Sequence, residues 1–431
     1  MNTGKQTIEA IRYIEDNDIK FIRMQFCDLL GQSKNIAVTD SQIERVFVNG
    51  IPFDADAVMG CKNSQHADLI LHPDLGTLQL LPWRPQKGKV ARYLCDVTWP
   101  DGSPFEQDSR YILKRQIAAA EALGYQFNVG AECEFFLFEL DDKGYPTAVP
   151  IDEAGYFDLA PFDKGENVRR DIILTLEEMG FEMESSHHES GKGQHEIDFR
   201  YSNALESADN IMTFKTVVKT IAQRGGIYAT YMPKTLNGEP GSGMHINMSL
   251  TAGGENVFIS ENREITDTAR YFAAGILKHI RAITAVANPL VNSYKRLNDG
   301  REAPSSVNWG YESRQALIRI PAAAGDDCRM ELRSPDPACN PYLTYALVLA
   351  AGLEGIQNQF ELMPPFEKTE ENTPLPGTLK EALDAMAEDA LVEKVFGEKV
   401  KAEYMALKNK EWDDYSRQVH DWEMNHYFSY I

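Results

Sequence analysis

In the stretch "HHESGKGQHEIDFRY", residues 187–201, Glu189, His195, Glu196, Asp198 and Arg200 crowd together, with apolar residues alternating only after Gly193. The same pattern recurs elsewhere: alternation at strand period with ionisable or polar residues on one face. Glu132 and Glu134 share a face in "AECEFFLF", as do His245, Asn247 and Ser249 in "MHINMSL", and Arg329, Glu331 and Arg333 in "CRMELRSPDP". Taken singly, each stretch also fits a one-sided antiparallel strand with its polar face in water. Taken together they describe the concave polar face of a curved sheet, so rich in glutamate that cations are needed to offset carboxylate repulsion. Oxygen ligands with an occasional imidazole suit Mg²⁺ or Mn²⁺ better than zinc or copper. Arginines facing the same space would hold phosphate or carboxylate oxygens through paired hydrogen bonds. The chemistry implied is a metal-dependent site for a phosphorylated small molecule, and periodicity leaves both a phosphatase and an ATP-using ligase open.

Two loops add to this. "NSYKRLNDGREAPSS" contains the turn-former Asn298-Asp299-Gly300, then Glu302 and Pro304, and reads as an exposed, partly stiffened loop. "LNGEPGSGMH" leads into the His245 strand with glycines at 238, 241 and 243, which let backbone approach a ligand closely. It lacks the Lys-Ser/Thr of a nucleotide P-loop.

The elements that must carry these residues are both helical and extended. Ile8, Ile11 and Ile14 recur at helical spacing, and "KFIRMQF" then puts Ile22, Met24 and Phe26 on one face, a helix followed by a strand. "SADNIMTFKTVVKTIAQRGG" predicts a helix with Ile211, Phe214, Val218 and Ile221 as its apolar stripe, stopped at Gly225-Gly226. Another helix is expected from Thr378, and the aromatic tail "WEMNHYFSYI" either packs on the domain or meets another subunit. The turn-rich stretch 96–108 divides the chain into an amino-terminal domain, 1–103, and a larger domain, 104–431. A net charge of -22 argues against nucleic acid as the main partner, and no apolar run is long enough for a membrane span. Six cysteines without CxxC or zinc-ligand spacing, and no leader-like amino terminus, suit a reducing cytoplasm.

At these residues the chain resembles glutamine synthetases of the bacterial type I family. The likeness runs from "IKFIRMQFCDLLGQSKN" through "GYFDLAPFDKGENVRRDI", "YMPKTLNGEPGSGMH" and "NPLVNSYKRL" to "ELRSPDPACNPYL". It implies an α+β fold, with a small β-grasp amino-terminal domain and a larger catalytic domain whose curved antiparallel sheet is flanked by helices. It also implies a homo-oligomer, a dodecamer of two hexameric rings, with active sites between subunits. ATP would activate the side chain of L-glutamate as γ-glutamyl phosphate, and ammonia would displace the phosphate. Two or more Mg²⁺ or Mn²⁺ ions would serve each site, one on Glu134, Glu189 and Glu196 and one on Glu132, His245 and Glu331.

The resemblance further implies that Arg296 and Arg333, with Gly241, contact the glutamate carboxylate and phosphate. Arg314, Arg319 and Arg329 would stabilise ATP phosphates and charge developing in transfer, and Asn247 and Ser249 would contact the nucleotide. Asp54 would bind and deprotonate ammonium, Glu302 would close over the intermediate, and Tyr156 would form a wall of that pocket. His195 and Asp198 receive no metal. The chain departs from the family at three places. Asp54-Ala55-Asp56-Ala57 replaces Asp-Gly-Ser-Ser, Pro240 replaces an asparagine, and Asn298-Asp299-Gly300-Arg301-Glu302 replaces Val-Pro-Gly-Tyr-Glu. Since the changes surround the acceptor and amino-acid pockets, a γ-glutamyl-amine ligase using an alkylamine, ethanolamine or polyamine is the nearest rival. A non-catalytic metabolite-binding or structural relative and a metal-dependent phosphohydrolase stand further off.

Overall fold

The computed structural model describes residues 3–63, 65–258, 264–311, 313–321, 328–368 and 373–431. The helix Thr3–Asp16 and the strand Ile19–Cys27 form as the periodicity predicts, and Ile22, Met24 and Phe26 are all buried. Of the helix stripe only Ile14 is buried, while Ile8, near the helix start, is exposed. Strand Ile19–Cys27 pairs antiparallel with Ser33–Thr39 and parallel with Lys89–Thr98, which then pairs with Asp68–Pro73; Ile51–Asp54 closes the far edge. This small sheet encloses its own core of Phe53, Leu69, Leu71, Tyr93 and Phe105.

The larger domain has the expected curved sheet and helices, with a division that the sequence did not indicate. Its polar-faced strands are divided between two hydrogen-bonded sheets, and Trp309–Tyr311 runs parallel to Ile318–Ile320. Strand Gln126–Cys133 lies in a seven-stranded sheet beside Met244–Ala252, which in turn pairs with Met330–Leu332. The chain then continues as Phe135–Leu140 in a five-stranded sheet with Gln194–Phe199 and Met183–His188. Glu134 is the residue at the break, and its N–H donates to Gly243 O at 3.1 Å. Such a split is how a twisting sheet turns its polar face inward without stretching its ladder.

Helices cover the outer faces. Ala204–Arg224 buries Ile211, Phe214 and Val218, with Ile221 partly covered. Asp267–Ala287 and Pro341–Asn358 cross so closely that a methyl group on Gly275 would lie 2.0 Å from Ala351 O. Thr378 caps Leu379–Glu388 as expected, accepting from Glu381 N. The final short helix, Asp421–Tyr427, buries none of its residues, and Trp422 and Phe428 stay exposed. None of the described helices is long and apolar enough to cross a membrane.

Arg110, buried in the helix Ser109–Ala122, ties the two parts together. Its guanidinium donates to Asp96 at 2.7 Å and Asp74 at 2.9 Å in the β-grasp domain, and to both oxygens of Asp209 in the catalytic domain. Arg110→Met leaves the Asp209 carboxylate without its guanidinium, while Lys114, 2.7 Å from Asp96, still serves the β-grasp side. The substitution is expected to lower unfolding stability by about 3 kcal/mol, the low end for a broken buried pair because Asp74 and Asp96 reach water. Urea unfolding measures it, and a wild-type midpoint would show that the clamp contributes nothing.

Candidate active site

Strand register decides which side chains meet. His245 lies directly across from Glu132, and Asn247 across from Glu331, on neighbouring strands of one sheet. His245 Nδ1 is accordingly 3.2 Å from Glu132 and 3.5 Å from Glu331, and these side chains form a group tight enough to hold a metal ion. Asn247 donates to Glu132 at 2.9 Å and accepts from Arg329 Nε at 2.8 Å. Arg319 donates to Glu331 at 2.8 Å, and Arg333 donates to its other oxygen. The set Glu132, His245 and Glu331 is therefore brought together as expected.

The other expected set, Glu134, Glu189 and Glu196, is arranged more loosely. Glu196 forms its tight group with His187 and Asp198. His187 Nε2 stands 2.8 Å from Glu189 and 3.8 Å from Glu196, a position between the two carboxylates that the sequence reading missed. Glu134 is held separately: Gly243 N donates to it at 2.7 Å and Gln194 Nε2 at 3.0 Å. Gln194 was also missed. The signal for His187 was strand alternation itself, since 187 and 189 share a face while His188 must point away.

His188 and His195 do point away, into a buried network behind the site. His188 bonds Asp152 at 3.0 Å and the Glu189 carbonyl at 2.6 Å, and His195 Nδ1 accepts from Arg169, which also holds Asp163. Asp152, Asp163, His188 and His195 are close enough for a cation, but the Arg169 guanidinium already supplies one. Burial, then the Arg169 charge, pushes the His195 imidazole well below its ordinary range.

The acid face is electrostatically divided. Burial raises Glu132, but the His245 hydrogen bond and charge, the Asn247 amide and Arg329 outweigh it and hold the carboxyl down to about 2. Burial pushes Glu134 up to about 6, with Glu189 adding to it and His245 and Arg296 opposing it. Glu196 is pushed up by burial and by Asp198, Glu134, Glu132 and Glu189, and Asp198 rises to about 6 chiefly through burial. Carboxylates that repel one another in a low-dielectric space, alongside one imidazole, fit a hard divalent cation.

Of the expected nucleotide residues, Asn247, Ser249 and Arg329 line one cleft of about 730 Å³ together with Glu132, and Arg314 does not line it. Arg200, read from sequence as part of the polar face, stands exposed at the side of this cleft and pairs with Glu182. Arg296 is buried, and its terminal nitrogens donate to the carbonyls of Arg333, Ser334 and Pro335. It packs under Gly241 and Gly243; a methyl group on Gly243 would come within 2.6 Å of the guanidinium and 2.8 Å of His245.

Arg314 is exposed and bonded to Tyr156, which raises its guanidinium further above its ordinary range. Tyr156 stacks on Phe157 at 4.0 Å, and both rings stand nearly perpendicular to the His187 ring. Glu302 accepts from Ser190 Oγ at 3.1 Å, so the flap carboxylate reaches the Glu189 turn. All three altered flap residues make ties: Asn298 to Gly377 O, Asp299 to Lys234, and Arg301 to Gly238 O. Asp54 is the exception to convergence. Itself exposed, it ends the edge strand Ile51–Asp54, accepts from Asp56 N, and among the described residues no hydrogen bond or ion pair links it to the carboxylate cluster.

A β-grasp domain joined to curled sheets, with carboxylates meeting an arginine-lined cleft, defines an ATP-dependent carboxylate–amine ligase. The family model described as glutamine synthetase, catalytic domain, matches residues 106–427, and glutamine synthetase, beta-Grasp domain, matches residues 18–100. The chain belongs to the glutamine synthetase family. It is 51% identical to glutamine synthetase of Clostridium saccharobutylicum, with 98% of each chain covered. It is 48% identical to that of Methanosarcina mazei, covering all of this chain and 98% of the other. Among solved structures, Plasmodium falciparum glutamine synthetase superposes with a TM-score of 0.91 at 25% identity, covering 98% of both chains. A protein named GmaS, in complex with ADP, superposes with a TM-score of 0.89 at 32% identity over 97% of this chain and 99% of that one.

The raised carboxyls give a pH test. Glu134, Glu196 and Asp198 hold protons more tightly folded than unfolded. Their stabilisation is complete below about pH 4, the unfolded carboxyl range, and is lost as pH rises through about 6. Glu132, depressed to about 2, acts oppositely but does so at lower pH. In EDTA the melting temperature is expected to fall between about pH 4 and 6.5, and Mg²⁺ or Mn²⁺ should restore it at the higher pH. Glu134→Gln should weaken both effects. Scanning calorimetry reads this, and a metal response independent of pH would refute it.

Proposed function

We propose that the chain joins ammonia to the side-chain carboxylate of L-glutamate, consuming ATP and releasing glutamine, ADP and phosphate. One observation carries this reading: Glu132 belongs both to the His245–Glu331 group and to the lining of the cleft with Asn247, Ser249 and Arg329. A phosphate end entering through that cleft arrives at the carboxylates. One cation would sit on Glu132, His245 and Glu331 and another on Glu134, Glu189 and Glu196, with His187 beside the second set. Bound Mg²⁺ or Mn²⁺, two or more per site, would offset the charge of phosphate oxygens and of the acids around them.

The chain's own groups supply the rest. Arg319 and Arg333 are already aimed by Glu331, and with Arg329 and Arg314 they would meet the transferring phosphoryl group in a fixed orientation. Gly241 and Arg296 shape the wall for the amino-acid end, Arg296 by holding backbone carbonyls in place. Glu302, anchored on Ser190, would exclude water from the acyl phosphate, and Tyr156 would close the same side. Asp54 would take the ammonium proton. Its exposed position in its own subunit supports a site completed by a neighbouring copy, in a homo-oligomer built as a dodecamer and working in the cytoplasm.

The exposed pair Asp54 and Asp56 favours a second reading, a γ-glutamyl-amine ligase, because two carboxylates would attract an organic cation as readily as ammonium. Phosphate release with ATP, Mg²⁺ and L-glutamate, using ammonium, methylamine, ethanolamine or a polyamine and identifying products by mass, separates the two. Glutamine formed preferentially from ammonium is the expected result, and preference for an organic amine would transfer the assignment. Glu331→Gln should lower kcat by on the order of 10²-fold, since it disturbs a metal ligand and the aim of two arginines together.

A further inference from the structure

Lys234 is an unexpected buried cation beside the site. Its side chain is 8% exposed, its Nζ lies 2.6 Å from Asp299 Oδ2, and it donates also to the Glu239 carbonyl. Asp299 belongs to the loop that carries Glu302, and Glu239 to the glycine-rich loop that passes over Glu134 and Arg296. Lys234 is itself fixed, because its N–H donates to Asn292 Oδ1 at 2.8 Å and its carbonyl accepts from Asn292 Nδ2 at 3.0 Å. Asn292 opens the short helix Ser293–Leu297 that leads into the flap. A second tie runs from Arg301 to the Gly238 carbonyl, with Arg301 Nε 3.9 Å from Asp299.

The flap needs such ties. Glu302 is a non-glycine residue at φ 57°, a left-handed conformation that surroundings must hold. Among the described residues, Ser190 Oγ, at 3.1 Å, and the weak Arg333 contact to the Glu302 carbonyl, at 3.4 Å, reach it from the catalytic face. A charge-assisted bond with its cation buried is strong enough to bias a loop between two positions.

We propose that Lys234 and Asp299, supported by Arg301, form a latch that keeps the Glu302 flap docked on the glycine-rich loop, and that this latch couples phosphoryl transfer to amide formation. They are positioning residues acting through Glu302. The inference rests on the ligase reading above. With the flap docked, the amine attacks the acyl carbon of γ-glutamyl phosphate, the bond from that carbon to the bridging oxygen breaks, phosphate leaves and the amide nitrogen loses a proton. With the flap free, water makes the same attack, glutamate and phosphate result, and the net reaction is ATP hydrolysis.

The measurement is phosphate released per amide formed, by wild type, Asp299→Asn, Lys234→Met, Lys234→Arg and Arg301→Ala. Wild type should give a ratio of one, Asp299→Asn and Lys234→Met a ratio roughly three- to tenfold higher with KM for ATP little changed, and Arg301→Ala a smaller rise. Lys234→Arg should restore coupling. Asp299→Asn is nearly isosteric on a partly exposed loop, so it decides the matter if Lys234→Met fails to fold. Trypsin cleavage after Arg301, followed by mass on the intact oligomer, supplies a readout that needs no turnover and should quicken several-fold in Asp299→Asn. A ratio of one in Asp299→Asn with unchanged cleavage overturns the latch alone. Wild type making no amide overturns the ligase reading, and the coupling role with it.

Discussion

Glu132, Glu134, Glu189, Glu196 and Glu331 face one space, and much of the catalytic domain is arranged around their mutual repulsion. A protein can meet such a concentration of charge by protonation, by internal cations or by bound ones. This chain uses the first two unevenly. Arg319 and Arg333 neutralise Glu331 from within, and Glu132 is held by hydrogen bonds to His245 and Asn247 and by the nearby Arg329 charge. Glu134 and Glu196 receive mostly neutral donors or further acids, and their carboxyls rise accordingly. The unneutralised half is where an external cation gains most.

The split between the sheets is what makes that arrangement possible. Had Gln126–Cys133 continued straight, Glu134 would fall on the opposite face from Cys133 but in the same ladder. At the break its N–H and carboxylate instead both turn to Gly243. Gly243 can be approached in this way because it carries no side chain, and Arg296 and His245 fill the room that a methyl group would need. Behind the site, His188 and His195 with their aspartates and Arg169 stiffen the hairpin that presents Glu189 and Glu196. The polar residues of that hairpin therefore serve two faces, one for chemistry and one for support.

The division of labour fits carboxylate activation. A permanent set of arginines is aimed by an acid that is itself a candidate ligand, so phosphate and metal would be oriented by one rigid group. The parts that differ from the family pattern lie on loops, where positions are set by a few ties: the flap, the glycine-rich loop and the Asp54 turn. Loops of this kind adjust what enters a site without disturbing the sheets that hold its acids.

Family, fold class and most of the chemical inventory were legible in the sequence, because strand period and residue type survive without knowledge of which strands pair. Glu132, His245, Glu331, Asn247, Ser249 and Arg329 could be placed on polar faces from alternation alone, and Ile211, Phe214 and Val218 in the core from helical spacing. Pairing could not be read. That Glu196 groups with His187, that Gln194 braces Glu134, that Arg200 pairs with Glu182 and that Lys234 reaches Asp299 all depend on register and on where the sheet breaks. These are long-range choices settled by packing and by the need to compensate buried charge, and residues far apart in sequence carry no local signal of them.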